Sequence, residues 1–165
     1  MSDLVYDDDL ISRVLKDTRT IAMAGASPNW VRPSNFAMKY LQGKGYQVHP
    51  INPGHAGKKI WGRLTYASLA DVPGPIDMLD IFRNSEAAGK LVDEAIRLKD
   101  EKGIKIIWMQ LGVINDDAAK RAEDAGLIVV MDRCPKIEYG RLFGELGWSG
   151  VNSGIITSKR RKAPA

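Results

Sequence analysis

Five short apolar runs, separated by stretches with helical spacing, constrain this chain more than any other feature. The runs are 20–25 (TIAMAG), 47–51 (QVHPI), 76–82 (IDMLDIF), 104–109 (IKIIWM) and 127–131 (LIVVM), bounded by Gly, Pro, Asn or Asp. They read as strands apolar on both faces. Segments 34–43, 85–99 and 116–125 carry apolar residues at three- and four-residue spacing, with Ser34, Asn84 or Ser85, and Asn115 placed as N-caps. Gly45, Gly103 and Gly126 follow their ends, where a left-handed cap favours glycine. An amphipathic segment at 8–17 precedes the first strand, and 137–146 forms a last helix. Pro50 is discordant, because proline cannot donate to a strand ladder.

Strands of this kind joined by crossover helices predict an α/β fold. The expected form is a Rossmann-type, doubly wound, parallel five-stranded sheet in the order 3-2-1-4-5, with helices on both faces. Ligands of such sheets bind outside the carboxyl ends of the strands, at the switch point between the first and fourth strands. The residues just after each strand are therefore the candidates for function.

Composition narrows the class. At 165 residues and 44% hydrophobic content the chain suits one domain, expected over residues 1–158. Charged residues make up 27%, and no apolar run approaches the ~20 residues of a membrane span. Asp3, Asp7, Asp8 and Asp9 follow Met1 in place of a secretory signal, and Cys134, the single cysteine, allows no internal disulfide. A cytoplasmic location follows as an expectation. The net charge of +4 could suggest a nucleic-acid binder, but Lys159, Arg160, Arg161 and Lys162 account for all of it. Residues 159–165 are read as a short basic flexible tail, with nucleic acid and membrane set aside as partners.

The first strand is followed by Gly25-Ala26-Ser27 and a loop to Arg32, Pro33 and Ser34. Glycine permits a tight turn, Ser27 and the helix start offer donors, and Arg32 offers a fixed cationic fork, a combination suited to a pyrophosphate. The three-glycine dinucleotide fingerprint is absent. Asn52-Pro53 stands where an NAD-binding sheet places an acid for the ribose, and Lys58 and Lys59 follow. Such a site accepts an extra phosphate, as NADP and coenzyme A both carry. The remaining strand ends supply Phe82 and Arg83, Gln110 and Gly112, and Arg133 and Cys134. Phe82 could lie against an adenine. Arg83 and Arg133 either meet phosphates or pair with Asp80 and Asp132.

Taken together, Gly25-Ala26-Ser27, Arg32-Pro33-Ser34, Asn52-Pro53, Phe82-Arg83-Asn84-Ser85-Glu86, Trp108 to Val113 (WMQLGV) and Met131-Asp132-Arg133-Cys134-Pro135 resemble the small bacterial CoA-binding proteins. These are stand-alone relatives of the CoA-binding domain in the succinyl-CoA synthetase alpha subunit, and the resemblance covers residues 10 to 146. It implies that coenzyme A or an acyl-CoA is gripped by the first loop and the ends of the second, third and fourth strands. The contact role falls on Gly25, Ser27, Arg32, Asn52, Pro53, Phe82 and Gln110. The synthetase's phosphohistidine domain has no counterpart in the chain, so the resemblance implies a carrier, sensor or partner protein without a complete catalytic apparatus.

Catalytic candidates are few. His49 in the second strand and His55 beyond Asn52 have no evident carboxylate to orient them as bases, and they are read as packing and surface residues. Cys134, beside Arg133 and Lys136, is either a small buried residue or a thiolate able to form a mixed disulfide with the CoA thiol. No spacing suggests a metal site. The alternative reading is an NADP-dependent oxidoreductase on the same sheet. Apolar surface on 8–17 and 137–146 leaves a homodimer open, and the chain points to no particular protein partner.

Overall fold

The computed structural model describes residues 4–144. The basic tail, Trp148 and the end of the expected last helix at Leu146 lie outside the described residues. The elements in chain order are α1 (Asp8–Asp17), β1 (Thr20–Ala24), α2 (Pro33–Gly43), β2 (Gln47–Ile51), β3 (Lys59–Ile60), β4 (Arg63–Leu64), β5 (Met78–Ile81), α3 (Ser85–Lys102), β6 (Ile106–Met109), α4 (Asp116–Asp124), β7 (Ile128–Val130) and α5 (Pro135–Phe143). No described helix is long and apolar enough to cross a membrane.

The five long strands form one parallel sheet in the order β2-β1-β5-β6-β7, and β3 and β4 form a separate antiparallel hairpin. This matches the 3-2-1-4-5 pattern, with one detail invisible in the apolar runs. The third place, outside β2, is held by a single parallel bridge between Ile51 and Tyr66. The run at 76–82 stands in the fourth place, on the other side of β1. Pro50 fits because of this geometry. Gln47 N–H donates to Arg19 O at 2.9 Å and Ile51 O accepts from Gly25 N–H at 3.0 Å, so alternate residues of β2 face β1. Pro50 points away from that ladder, and its carbonyl accepts the Tyr66 N–H at 2.9 Å.

Alternation along the strands divides the core in two. Ala22, Leu79, Ile107 and Val129 pack under α3 and α4, whose contribution includes Ala88, Val92, Ala118 and Ala122. Ile21, Met23, Val48, Met78 and Trp108 pack under α1 and α2, with Tyr139 and Phe143 of α5 closing the cluster. Trp108 is fully buried, and its Nε1 donates to Arg133 O at 2.7 Å. Helix ends follow local chemistry. Asn84 and Asn115 cap α3 and α4 by accepting from Ala87 N–H and Ala118 N–H. Gly45, Gly103 and Gly126 all adopt positive φ. Ser34 is not a cap: α2 starts one residue earlier, at Pro33, with Arg32 in the cap position, because proline's fixed φ suits the first helical residue.

Candidate functional site

The carboxyl ends of β1, β2, β5 and β6 open onto a cavity of about 680 Å³. Its location is set by Gly25, where the chain leaves β1 with φ +84°. A Cβ there would drive into the Phe82 carbonyl oxygen, so glycine lets the ends of β1 and β5 approach closely. Phe82 N–H donates to Ala24 O at 2.8 Å across the same junction.

The loop after Gly25 is built by its own side chains. Ser27 Oγ accepts from Asn29 N–H, and Asn29 Oδ1 from Val31 N–H, both at 3.1 Å. Two amides pin it from outside: Asn35 Nδ2 donates to Ser27 O at 2.9 Å and Asn52 Nδ2 to Ala26 O at 2.8 Å. Asn52 also accepts from Gly54 N–H at 2.9 Å, starting a single 3-10 turn over Pro53–His55 that brings His55 back to the cavity. The loop ends at the N-terminus of α2. That terminus has no side-chain cap and no acidic residue in its first turn; Pro33 has no N–H, and Asn35 and Phe36 N–H donate to Arg32 O, so Ser34 supplies the backbone donor left over in that turn.

Gly25, Ser27, Arg32, Ser34, Asn52, Pro53, Phe82, Arg83 and Gln110 all line this cavity. Ala26, Lys58, Lys59, Gly112 and Cys134 do not. Ala26 is buried beneath the loop. Lys58 and Lys59 are exposed and lead into the β3–β4 hairpin, which carries them off the wall. Gly112 N–H is held by Asp132 Oδ1 at 2.7 Å. Cys134 is 7% exposed and occupies the cap position of α5. Pro33, Gly54, His55, Leu111 and Val113 complete the lining. Of these, the Asn-Pro-Gly sequence before His55 was the available signal, since it favours a tight turn.

No carboxylate lines the cavity, whereas Arg32 and Arg83 do, and neither has a hydrogen bond or ion pair from its guanidinium among the described residues. Gln110 is 8% exposed, and its Oε1 has no hydrogen-bond partner; neither has the buried Nδ1 of His55. The site is thus cationic and donor-rich, with unmatched polar atoms at its edge.

Two expected pairings are corrected. Arg133 does not face the cavity: it donates to Asp132 O at 2.8 Å and Leu4 O at 2.7 Å, and lies 5.2 Å from the Tyr6 ring centroid. Asp80 meets no arginine. It is fully buried within β5, and neither carboxyl oxygen has a partner. Burial pushes its pKa well above the ordinary carboxyl value. His49 is half-buried against Tyr66, with its pKa lowered first by burial and then by Arg63. A second cavity, of about 640 Å³, lies at the opposite end of the sheet, lined by Lys16, Arg19, Tyr46 and Tyr139. It has a turning glycine, Gly45, but its described lining includes no helix start. Among the described residues no group of three His, Cys, Asp or Glu side chains stands together as a metal site requires.

Comparison with known proteins places this geometry in context. A family model described as a CoA binding domain matches residues 19–140. Protein YneT of Bacillus subtilis (strain 168) is 30% identical over 129 residues, covering 78% of this chain and 91% of YneT. The solved structure of a hypothetical protein from Pyrococcus horikoshii OT3 aligns with a TM-score of 0.78 and 36% identity, covering 87% of this chain and 100% of that one. A dinucleotide forming acetyl-coenzyme A synthetase from Ca. Korarchaeum cryptofilum, solved with phosphate and ADP, aligns with a TM-score of 0.61 and 22% identity. That match covers 75% of this chain and 27% of the synthetase, and at such identity it speaks to the fold alone.

Proposed function

The chain belongs to the CoA binding domain family, and on that premise we propose that its strand-end cavity binds coenzyme A or an acyl-CoA. The observation that carries the proposal is a lining that, among the described residues, has two arginines without a partner, a helix N-terminus without a side-chain cap and no carboxylate. Polyanionic phosphates suit such a site, because charge-assisted hydrogen bonds replace the hydration they lose. In this reading Arg32 and the start of α2 hold the pyrophosphate, and Arg83 adds positive potential across the cavity. Phe82 and Pro53 offer apolar faces to the adenine, and Gln110 Oε1 accepts from a ligand N–H or O–H. His55 lines the cavity without a carboxylate beside it to orient it as a base, which favours a carrier, sensor or partner role over turnover.

Isothermal titration with CoA, with NADPH as the control ligand, tests the proposal. Arg32→Ala removes one charged hydrogen bond, worth about 1 to 3 kcal/mol, and should weaken CoA binding roughly 5- to 150-fold. Added salt should weaken the wild type more than the variant, since exposed charges are screened. Unchanged affinity in Arg32→Ala, or NADPH binding in preference to CoA, refutes the assignment.

A further inference from the structure

Trp61 stands apart from the strand-end cavity, yet the backbone is strained to keep it in place. The β3–β4 hairpin turns through two residues, Trp61 and Gly62, with φ of +48° and +80°. Asn, Asp or Gly ordinarily fills the first place of such a turn, because a bulky side chain at positive φ is strained. Trp61 is also 40% exposed, so burial in the core does not account for an indole there. Strain of this kind persists only where surrounding contacts hold it, and those contacts point to what the residue serves.

The contacts run to α2. Trp61 Nε1 donates to Asn35 Oδ1 at 3.0 Å, Gln42 Nε2 donates to Trp61 O at 3.3 Å, and Lys39 Nζ lies 4.9 Å from the indole ring centroid. Asn35 is 3% exposed, and its Nδ2 donates to Ser27 O at 2.9 Å. Chemistry fixes the direction of this chain. An indole N–H can only donate and a backbone carbonyl can only accept, so Asn35 presents its oxygen to Trp61 and its amino group to Ser27. Without the indole donor, the buried amide loses the group that sets its orientation.

The same hairpin grips the cavity's other wall. Lys58 N–H donates to His55 O at 3.1 Å, Gly57 N–H to Thr65 O at 2.9 Å and Asn52 N–H to Tyr66 O at 2.9 Å. His55 and Asn52 line the cavity with Ser27, and Asn52 Nδ2 reaches Ala26 O. The first loop is thereby held from two sides, by Asn52 directly and by Trp61 through Asn35.

We infer that Trp61 is a positioning residue of the ligand site, orienting the Asn35 amide so that the Ser27 loop is set before ligand enters. Trp61 is not among the described residues lining the cavity, so it acts without touching the ligand. The inference rests on the reading of that cavity as a coenzyme A site. A loop set in advance raises affinity because less ordering is left to occur on binding.

Variants of the full chain separate position from stability. Trp61→Asn puts a residue suited to the turn in that place, so it should leave the urea midpoint unchanged or higher. It should nevertheless weaken CoA in isothermal titration about two- to tenfold, the worth of one hydrogen bond. Trp61→Phe keeps a ring beside Lys39 but lacks the donor, and should weaken CoA by a similar factor. The double variant Trp61→Phe with Asn35→Ala should bind CoA no more weakly than Asn35→Ala alone, because the indole acts through that amide. In the ligand-free protein, Trp61→Phe should shift the amide resonances of Ser27, Asn29 and Val31, whose link to Trp61 runs through Asn35, and leave those of β6 and β7 in place. Affinity and stability falling together in Trp61→Asn, CoA binding unchanged in both single variants, or additive losses in the double variant overturns the inference. Failure of the wild type to bind CoA refutes the cavity assignment instead. The ligand-free resonances then decide whether Trp61 sets the loop, and unshifted loop resonances overturn that as well.

Discussion

Asp80 offers a direct measurement of what the fold costs at its centre. It lies in β5 opposite Met23 on one neighbouring strand and Trp108 on the other, fully buried and without a hydrogen-bond partner on either oxygen. Burial disfavours the carboxylate, so the native state holds a neutral acid whose pKa stands well above the ordinary 3.8. The sign follows. In the unfolded chain Asp80 ionises once pH exceeds its ordinary value, while in the native chain it keeps its proton, so the native state binds one proton more. Stability due to this group is fully present below the unfolded pKa and falls as pH rises, by about 1.4 kcal/mol per pH unit, until the native carboxyl ionises as well. Asp80→Asn has nearly the same shape, no titration, and an amide whose own cost does not vary with pH. Urea unfolding of wild type and variant at intervals between about pH 5 and pH 8 should show the variant gaining on the wild type, at up to that slope, until the native carboxyl ionises. Other titrating groups cancel in the difference. Parallel stability profiles, or a wild type that gains on the variant as pH rises, would refute the reasoning and place a cation or a donor at Asp80 in solution.

Two further predictions concern the cavity wall. Gly25→Ala combines positive φ with a collision against the Phe82 carbonyl, so it should cost about 2 to 4 kcal/mol in chemical denaturation, with CoA affinity lost as β1 and β5 are forced apart. Asn52→Ala removes the bonds to Ala26 O and from Gly54 N–H; a loss of about 1 to 3 kcal/mol in thermal unfolding should accompany weaker CoA binding, and a variant as stable as wild type would show that the first loop does not depend on this amide.

The fold was largely legible because its decisive information is local and repeated. Residues 106–109 are buried on both faces, Asn115 caps a helix in its own segment, and glycine marks three helix ends, so each element announces itself within a few residues. Where legibility failed, the missing information lay in contacts distant along the chain. Arg83 and Arg133 look equivalent as arginines after strands. Only the return of the N-terminal segment separates them, since Leu4 O and the Tyr6 ring take Arg133 and leave Arg83 unpaired at the cavity. Lys58 and Lys59 are near Asn52 in sequence, but the short hairpin that follows turns them away, and charge counting has no means of sensing a two-residue turn. His55 presents the reverse case: a single 3-10 turn, capped by Asn52, returns to the wall a histidine that sequence distance placed on the surface.

The same reasoning explains why Asp80 could not be assigned in advance. A carboxylate within an apolar run is ordinarily stabilised by a partner charge, and Arg83 follows the end of Asp80's own strand while Arg133 follows that of the last. Pairing with Asp80 and contact with phosphates were therefore both open readings of Arg83. The register decides against pairing: Asp80 shares its sheet face with Met78, pointing into the cluster beneath α1 and α2, while Arg83 lies exposed beyond the end of the strand. What distinguishes a buried structural acid from a cavity-lining cation here is therefore one strand's alternation and where the strand ends. The cationic character of the cavity follows directly, because the acid nearest in sequence to Arg83 within that strand is buried and neutral, leaving the guanidinium free for an anionic ligand.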